Sequence, residues 1–252
     1  MAYKFDNWTY KVYDKTFLKD VHLCMTFPKV DNIDTKKEGL MSVFKTFFNL
    51  KELNVDNLFS VIHVKSEDES ICYDFKLDSV ELTMRRPAYK SCKLTEAMMK
   101  AVFSYMRELG VEHIEKFEFF KYNELEYTLP NGSIGMMEIM KGVFTEHLIK
   151  AIDDENISDN DAYMKKLTRW EKVISMADDE SKSLFNIEYG FSRKSLDSIK
   201  GVLALKTRIE TDQDGVVFEA LAEKIASFNQ ILDDAFHWCV RQEVITMMEK
   251  TE

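Results

Sequence analysis

One stretch of the chain brings together side chains that could perform thiol or acid–base chemistry. It is the segment FNQILDDAFHWCV at 228–240, which contains Asp233, His237 and Cys239. A nucleophilic cysteine needs a histidine within hydrogen-bonding distance. Whether these residues form an active site therefore depends on the directions in which the local secondary structure points them.

The residue spacing of this stretch predicts a helix with one apolar and one polar side. The apolar side contains Leu221, Ile225, Phe228, Leu232, Phe236 and Cys239. The polar side contains Glu219, Glu223, Gln230, Asp233, His237 and Arg241. Because His237 and Cys239 are two positions apart, the helix points them to opposite sides and excludes a cysteine–histidine dyad. Asp233 and His237 can meet, and we expect that pair on the solvated surface.

Metal binding has one weak candidate. His22 and Cys24 share one face of a predicted strand and could supply two ligands. A zinc site needs four ligands, or three and a water, and no CxxC or HxxxH pair supplies the rest. Glycine-rich phosphate loops and nucleophile motifs are also missing. We predict no catalytic residue, no metal site and no cofactor; whether His22, His63 or His237 joins a site formed by folding stays open.

Composition indicates a globular chain without a membrane span. Its 252 residues are 45% hydrophobic, which suffices for a sizeable core. The net charge of -10 disfavours nucleic acid as a partner, because the protein and the phosphate backbone repel each other. No apolar run is long enough to cross a bilayer, and no leader pattern is visible. Four widely spaced cysteines are typical of reduced thiols, so we expect a cytoplasmic protein.

Two parts of the chain have the same predicted order of elements. Strand-like alternation at 58–65, 71–76 and 80–85 precedes a helical pattern at 95–109, and alternation at 167–176, 184–191 and 202–210 precedes one at 216–248. Short connections favour antiparallel sheets with helices on one face. We therefore predict an α+β fold with an approximate internal duplication of a βββα unit and a long C-terminal helix.

An acidic polar segment, DDENISDNDAY at 153–163, separates the two parts. We interpret it as a linker between an N-terminal α+β half, 1–152, and a C-terminal βββα half, 164–252. The N-terminal half also contains a predicted strand at 17–27, a helix whose capping box joins Thr35 to Glu38, a strand at 113–127 and a short helix at 134–144.

Four segments resemble a sporadically distributed family of bacterial proteins of about this length. They are FLKDVHLCMTFP at 17–28, FEFFKYNEL at 117–125, GVLALKTRIETD at 201–212 and NQILDDAFHWCVRQEVITMMEK at 229–250. The resemblance spans most of the chain. Because that family is functionally uncharacterised, the resemblance implies no activity and no site residue.

The C-terminal helix suggests a function. Ile231, Trp238 and Ile245 recur every seven positions outside its main apolar side, and Met248 also lies off that side. Apolar residues on a second side need a second neighbour, and aromatic and methionine residues are enriched in interfaces. We predict that Trp238, Ile245, Met248 and Ile231 form part of a symmetric dimer contact. The alternative is that the last turns pack on the N-terminal segment around Phe5 and Trp8.

The leading functional hypothesis is therefore a non-catalytic protein that acts through protein–protein association, self-association included. The alternative is an enzyme or a small-ligand-binding protein. Its site would be assembled from distant residues in a cleft between the two halves.

Overall fold

A computed structural model describes most of the chain. The described residues are 5, 16–31, 33–56, 61–86, 88–128, 136–153, 167–179, 182–195, 198, 200–211 and 215–248. Within them, no helix has the length and apolar character needed to cross a membrane.

Nine strands form one antiparallel sheet in the spatial order β2-β3-β4-β5-β1-β7-β10-β9-β8. Their bounds are β1 Leu18–Thr26, β2 Leu50–Asp56, β3 Val61–Ser66, β4 Ile71–Phe75, β5 Ser79–Arg85, β7 Lys116–Thr128, β8 Arg169–Asp178, β9 Ser183–Arg193 and β10 Lys200–Thr211. Two short strands, β6 His113–Ile114 and β11 Val216–Val217, pair separately.

Six described helices accompany the sheet. They are α1 Lys37–Lys45, α2 Cys92–Glu108, α3 Met136–Val143, α4 Glu146–Asp153, α5 Leu221–Cys239 and α6 Gln242–Met248. Antiparallel strands and separate helices confirm the predicted α+β class.

The helices described against the sheet lie on one side of it, here named the covered face. Phe44 of α1 lies 4.4 Å from Tyr73 of β4, measured between ring centroids. The Tyr189 hydroxyl of β9 donates to the carbonyl oxygen of Leu148 in α4 at 2.9 Å. Helix α5 packs on β7 and β10, and α2 packs on α5. The core therefore fills the space between these helices and the covered face.

Side-chain alternation along the strands separates the two faces. On β1, Val21, Leu23 and Met25 are at most 1% exposed, while the residues between them are half-buried. The same alternation follows β5, β7 and β10. The half-buried side of these strands, named the open face, has no helix against it among the described residues.

The strand order agrees with the predicted repeat of a βββα unit, and the superposition of the two units stays a prediction. From the middle of the sheet outward, one side reads β1-β5-β4-β3-β2 and the other reads β7-β10-β9-β8. Each side contains a three-strand meander that is followed by a helix, α2 or α5. Each unit also begins with a strand, β1 or β7, and these two strands pair at the centre.

One sheet passes through both predicted halves of the chain. Strand β7, in the first half, pairs with β10, in the second. The predicted linker 153–163 lies outside the described residues except for Asp153. The proposed domain boundaries therefore stay predictions.

The predicted single helix at 216–248 is wrong in its extent. Residues 216–220 form β11 and a 3-10 turn, and α5 ends at Cys239, where Val240 is extended. The reason is tertiary. The Thr145 amide donates to the Cys239 carbonyl oxygen, and the Arg241 amide donates to Val143, both at 2.9 Å. A continuous helix would use the Cys239 carbonyl oxygen and the Arg241 amide in its own hydrogen bonds. Because both groups bond to residues 143 and 145 instead, the first helix ends and a second helix, α6, starts at Gln242.

Two local interpretations also fail. Thr35 lies inside a 3-10 turn, Ile33–Lys36, and α1 begins at Lys37 with Lys36 at its N-cap, so the prediction of Thr35 as the N-cap residue is wrong. Strand β2 was not predicted, and it extends the sheet at its outer edge beyond β3.

Candidate functional site

The C-terminal half of α5 is buried on both sides. Asn229, Asp234 and His237 are less than 10% exposed. The expectation of a solvated surface is therefore wrong for His237, whereas Glu219, Glu223 and Gln230 of the predicted polar side are exposed. Helix α2 packs along α5, and the connection between α3 and α4 covers another side, where the Thr145 hydroxyl donates to the Trp238 carbonyl oxygen at 2.9 Å. The sequence shows which residues share a side of the helix, but it does not show which other elements pack against that side.

The stretch 228–240 does not form a cysteine–histidine dyad. His237 Nδ1 lies 2.7 Å from the backbone carbonyl oxygen of Asp233, one helical turn earlier. Cys239 is fully buried on the apolar side, and burial raises the pKa of its thiol. The prediction that Cys239 is buried is confirmed.

Asp233 instead belongs to a group of polar side chains under the sheet, named the Lys121 cluster: Tyr89, Lys121, Asn229 and Asp233. Lys121 Nζ lies 2.5 Å from Asp233 Oδ1, and the Asn229 amide donates to Asp233 Oδ2 at 3.0 Å. The Tyr89 hydroxyl donates to Asn229 Oδ1 at 3.1 Å. The Lys121 side chain is 6% exposed and that of Asp233 is 25% exposed. The buried Lys121 ammonium thus has a carboxylate partner, as a buried charge requires, and both oxygens of that carboxylate are hydrogen-bonded.

Two further residues border the Lys121 cluster. Cys92, the first residue of α2, is half-buried, and burial raises its pKa to about 11 against the opposing effect of Lys121. Its thiol is therefore protonated at neutral pH. Thr207 is the cross-strand neighbour of Lys121, and its buried hydroxyl has no hydrogen-bond partner among the described residues.

The open face has a row of cross-strand neighbours at its centre, named the Phe120 row. The row contains Cys72, Thr83, His22, Phe120, Arg208 and Asn186. The His22 ring is stacked on Phe120, with centroids 4.1 Å apart and planes 8° apart. His22 Nδ1 lies 3.0 Å from the Thr83 hydroxyl. Burial lowers the pKa of His22, so the ring is neutral at physiological pH.

Ion pairs surround the Phe120 row. Arg208 Nη2 donates to Glu118 Oε2 at 2.6 Å and to Glu210 Oε2 at 2.7 Å. Lys206 Nζ lies 2.7 Å from Glu188 Oε1. Both signs of charge therefore occur on the open face, and neither dominates it.

The structure places the candidate metal ligands in different surroundings. Within the described residues, no three histidine, cysteine or acidic side chains come close enough to hold a metal ion. Burial, with Glu81 and Glu118 nearby, raises the pKa of Cys24 to about 11. On β3, His63 Nδ1 lies 2.7 Å from Asp74 Oδ1. His22, His63 and His237 thus do not meet in one site.

The predicted interface residues divide into two groups. Ile245 and Met248 are at most 2% exposed within a single chain. Their burial removes the reason for assigning them to a dimer contact. Trp238 is partly buried, stacked on His147 at 5.1 Å and close to Phe5 at 5.6 Å. This contact with Phe5 matches the alternative expectation, although Trp8 lies outside the described residues. An interface through Trp238 and Ile231 stays a prediction.

Sequence reasoning missed the Lys121 cluster, although β7 contained a signal. Phe117 and Phe119 occupy covered-face positions, and the period of two places Lys121 and Asn123 on the same face. Two polar residues in an apolar period indicate buried partners. The identity of those partners required the packing of α5.

Comparisons with known proteins assign no family. No family model matches the chain, and no curated protein matches it. One matching solved structure is described as KH domains, at 9% identity and a TM-score of 0.17, and the match covers 90% of this chain. The chain spans 63% of the length of that structure. A TM-score of this size does not indicate a shared fold, and the resemblance to the bacterial family stays a prediction.

Proposed function

We propose that this chain is a non-catalytic protein that acts in the cytoplasm by associating with another protein, and that the open face of the sheet is its docking surface. One observation carries the proposal: the helices described against the sheet lie on its covered face, so the opposite face offers its strands to a partner. The four cysteines are free thiols, which is typical of a reducing compartment.

The size of the open face supports this proposal. Strands lie about 4.8 Å apart, so nine of them span about 40 Å. Six residues of strand add about 20 Å in the other direction. A surface of these dimensions can supply the roughly 800 Å² that each partner buries in a standard interface.

The chemistry of the open face favours a protein as the partner. Phe120 and Tyr122 bring aromatic surface to its middle, where interface cores are enriched in such residues. Cations and carboxylates alternate around them, which suits a partner that also carries both signs. A nucleic acid would meet the carboxylates with its own negative charge.

Affinity retention tests the proposal. We would immobilise the full chain and measure retention of an untagged copy and of proteins from a native lysate. We expect Phe120→Glu to reduce retention at least about tenfold, because an interface centre tolerates a charge poorly. Met247→Glu is the matched control, since Met247 is 73% exposed on α6 and lies outside the sheet. The proposal is contradicted if the wild-type chain retains no protein. It is also contradicted if Phe120→Glu retains the same proteins as the wild-type chain.

One observation favours a second candidate, a small-ligand site or active site at the Lys121 cluster. The buried Thr207 hydroxyl beside Lys121 lacks a partner among the described residues, and a bound molecule could supply one. Intact mass measured under native and denaturing conditions tests this. A small molecule that is released on denaturation, and is missing from Lys121→Met, would favour this candidate. Equal masses under native and denaturing conditions favour the proposed role in protein–protein association.

A further inference from the structure

We propose that the partner on the open face is a second copy of this chain, related to the first by a two-fold axis along the Phe120 row. This inference rests on the proposed function, since it names the occupant of that docking surface. A two-fold interface uses the same patch on both copies, so the patch must be complementary to itself. The charges around the Phe120 row meet this condition.

The register of the sheet determines what this axis brings together. A rotation about the row places each strand over the same strand of the other copy. A residue two positions before the row on one copy then faces the residue two positions after the row on the other copy. The same holds for residues four positions from the row. Because Thr83, Phe120 and Arg208 lie in one row, the opposed residues on three strands follow from the pairing alone.

On each of these three strands, the rotation places a positively charged side chain of one copy opposite a negatively charged side chain of the other. On β5, Glu81 of one copy faces Arg85 of the other. On β7, Lys116 faces Glu124, and on β10, Lys206 faces Glu210.

We applied the same rotation to the residues two and four positions from the row. Among the described residues of β1, β4, β5, β7, β9 and β10, it places no two like charges opposite each other. Arg208 meets its own counterpart on the axis. Its charge is already neutralised by Glu118 and Glu210 of its own chain. Phe120 also meets its counterpart, which places aromatic surface at the centre.

Sheet geometry makes the contact closest at the middle strands. Packed sheets lie about 10 Å apart, a gap that opposed glutamate and arginine side chains can bridge. Each strand is rotated by about 20° from its neighbour, so β5, β1, β7 and β10 stay close to the other copy while the outer strands diverge. Within this central group, Glu81 and Arg85 are 43% and 59% exposed, which leaves both accessible to another chain.

A charge exchange on β5 tests the register. Arg85→Glu alone sets two carboxylates against each other at both symmetric contacts, and Glu81→Arg alone sets two guanidinium groups there. In a mixture of the two variants, each contact again joins opposite charges. We expect each variant alone to dimerise at least about tenfold more weakly than wild type. The equimolar mixture should recover wild-type affinity as a heterodimer, which native mass spectrometry identifies.

The matched control uses another charged pair of the same face. Arg169 and Glu171 form an ion pair on the edge strand β8, outside the proposed contact. Arg169→Glu and Glu171→Arg should each dimerise like wild type. Circular dichroism of all four variants checks that they are folded.

Sedimentation equilibrium separates the possible failures. A wild-type chain that stays monomeric at about 100 µM, a range in which weak dimers form, overturns the second-copy proposal. If that monomer still retains a lysate protein that Phe120→Glu loses, the open face is a docking surface for a different partner. A dimer that is insensitive to both β5 substitutions, or a mixture without recovery, also overturns the proposed register.

Discussion

Lys121 and Asp233 form an ion pair under the sheet, with 2.5 Å between Nζ and Oδ1, although 112 residues separate them in the chain. The pair joins β7, the first strand of the second structural unit, to its last long helix, α5. Tyr89, which precedes α2 of the first unit, reaches the same pair through Asn229. The Lys121 cluster therefore ties the two units together on the covered face.

Removal of one partner of this ion pair should be costly. Asp233→Leu leaves the Lys121 ammonium buried without its carboxylate, and we expect it to lower the free energy of unfolding by about 3 kcal/mol. Lys121→Met combined with Asp233→Leu should recover most of that loss, because no charge stays buried. Urea denaturation measures both. Glu223→Leu, at an exposed position of α5, is the control and should change stability by at most about 0.5 kcal/mol. A double variant that is as unstable as the single one would contradict this explanation.

Cys239 should be the least reactive thiol in the native protein. It is fully buried, and burial raises its pKa. Since the thiolate is the nucleophile, we expect labelling of Cys239 by a disulfide reagent only after unfolding. Labelling followed by peptide mass analysis, in buffer and in urea, makes the measurement. Rapid native labelling at this position would restore the idea of a reactive cysteine in α5.

The neutral His22 ring should make stability depend on pH. Its folded pKa is lowered from 6.5 by burial, so the unfolded chain takes up the proton first as the pH falls. The contribution of His22 is therefore complete above pH 6.5 and is lost progressively below it. We expect the melting temperature to fall between pH 7.5 and pH 5.5, and to fall less in His22→Gln. The same fall in both proteins would assign the effect to other groups.

Two glycine substitutions should have opposite effects. A Cβ at Gly190 of β9 would lie 2.1 Å from the Trp170 carbonyl oxygen of β8, so Gly190→Ala must push the two strands apart. We expect a loss of about 1–3 kcal/mol, as for other overpacked sites. A Cβ at Gly142 in α3 has no neighbour within 4 Å among the described residues. Gly142→Ala should therefore stabilise the protein, by about 0.5–1 kcal/mol, through helix propensity. Thermal unfolding of both variants makes the comparison, and equal effects would exclude the steric explanation.

The sequence by itself determined most of the strands and helices and the order in which they repeat. Alternation along β4, β5, β9 and β10 and the apolar period of α5 record local geometry, since side chains repeat every two residues in a strand and about every 3.6 in a helix. The exclusion of a His237–Cys239 dyad followed from the same helical geometry and agrees with the structure. Short turns between consecutive strands also predicted antiparallel pairing, which is confirmed.

Only the tertiary structure decided what lies beside each element. A period shows which side of α5 is polar, but not that His237 on that side is buried in the folded chain. Bonds from Thr145 and Arg241 ended the helix at Cys239, and no local pattern records them. The pairing of β1 with β7 and of β7 with β10 set the Phe120 row and its flanking charges. Such contacts join residues far apart in the chain, so they exist only once the whole sheet has assembled.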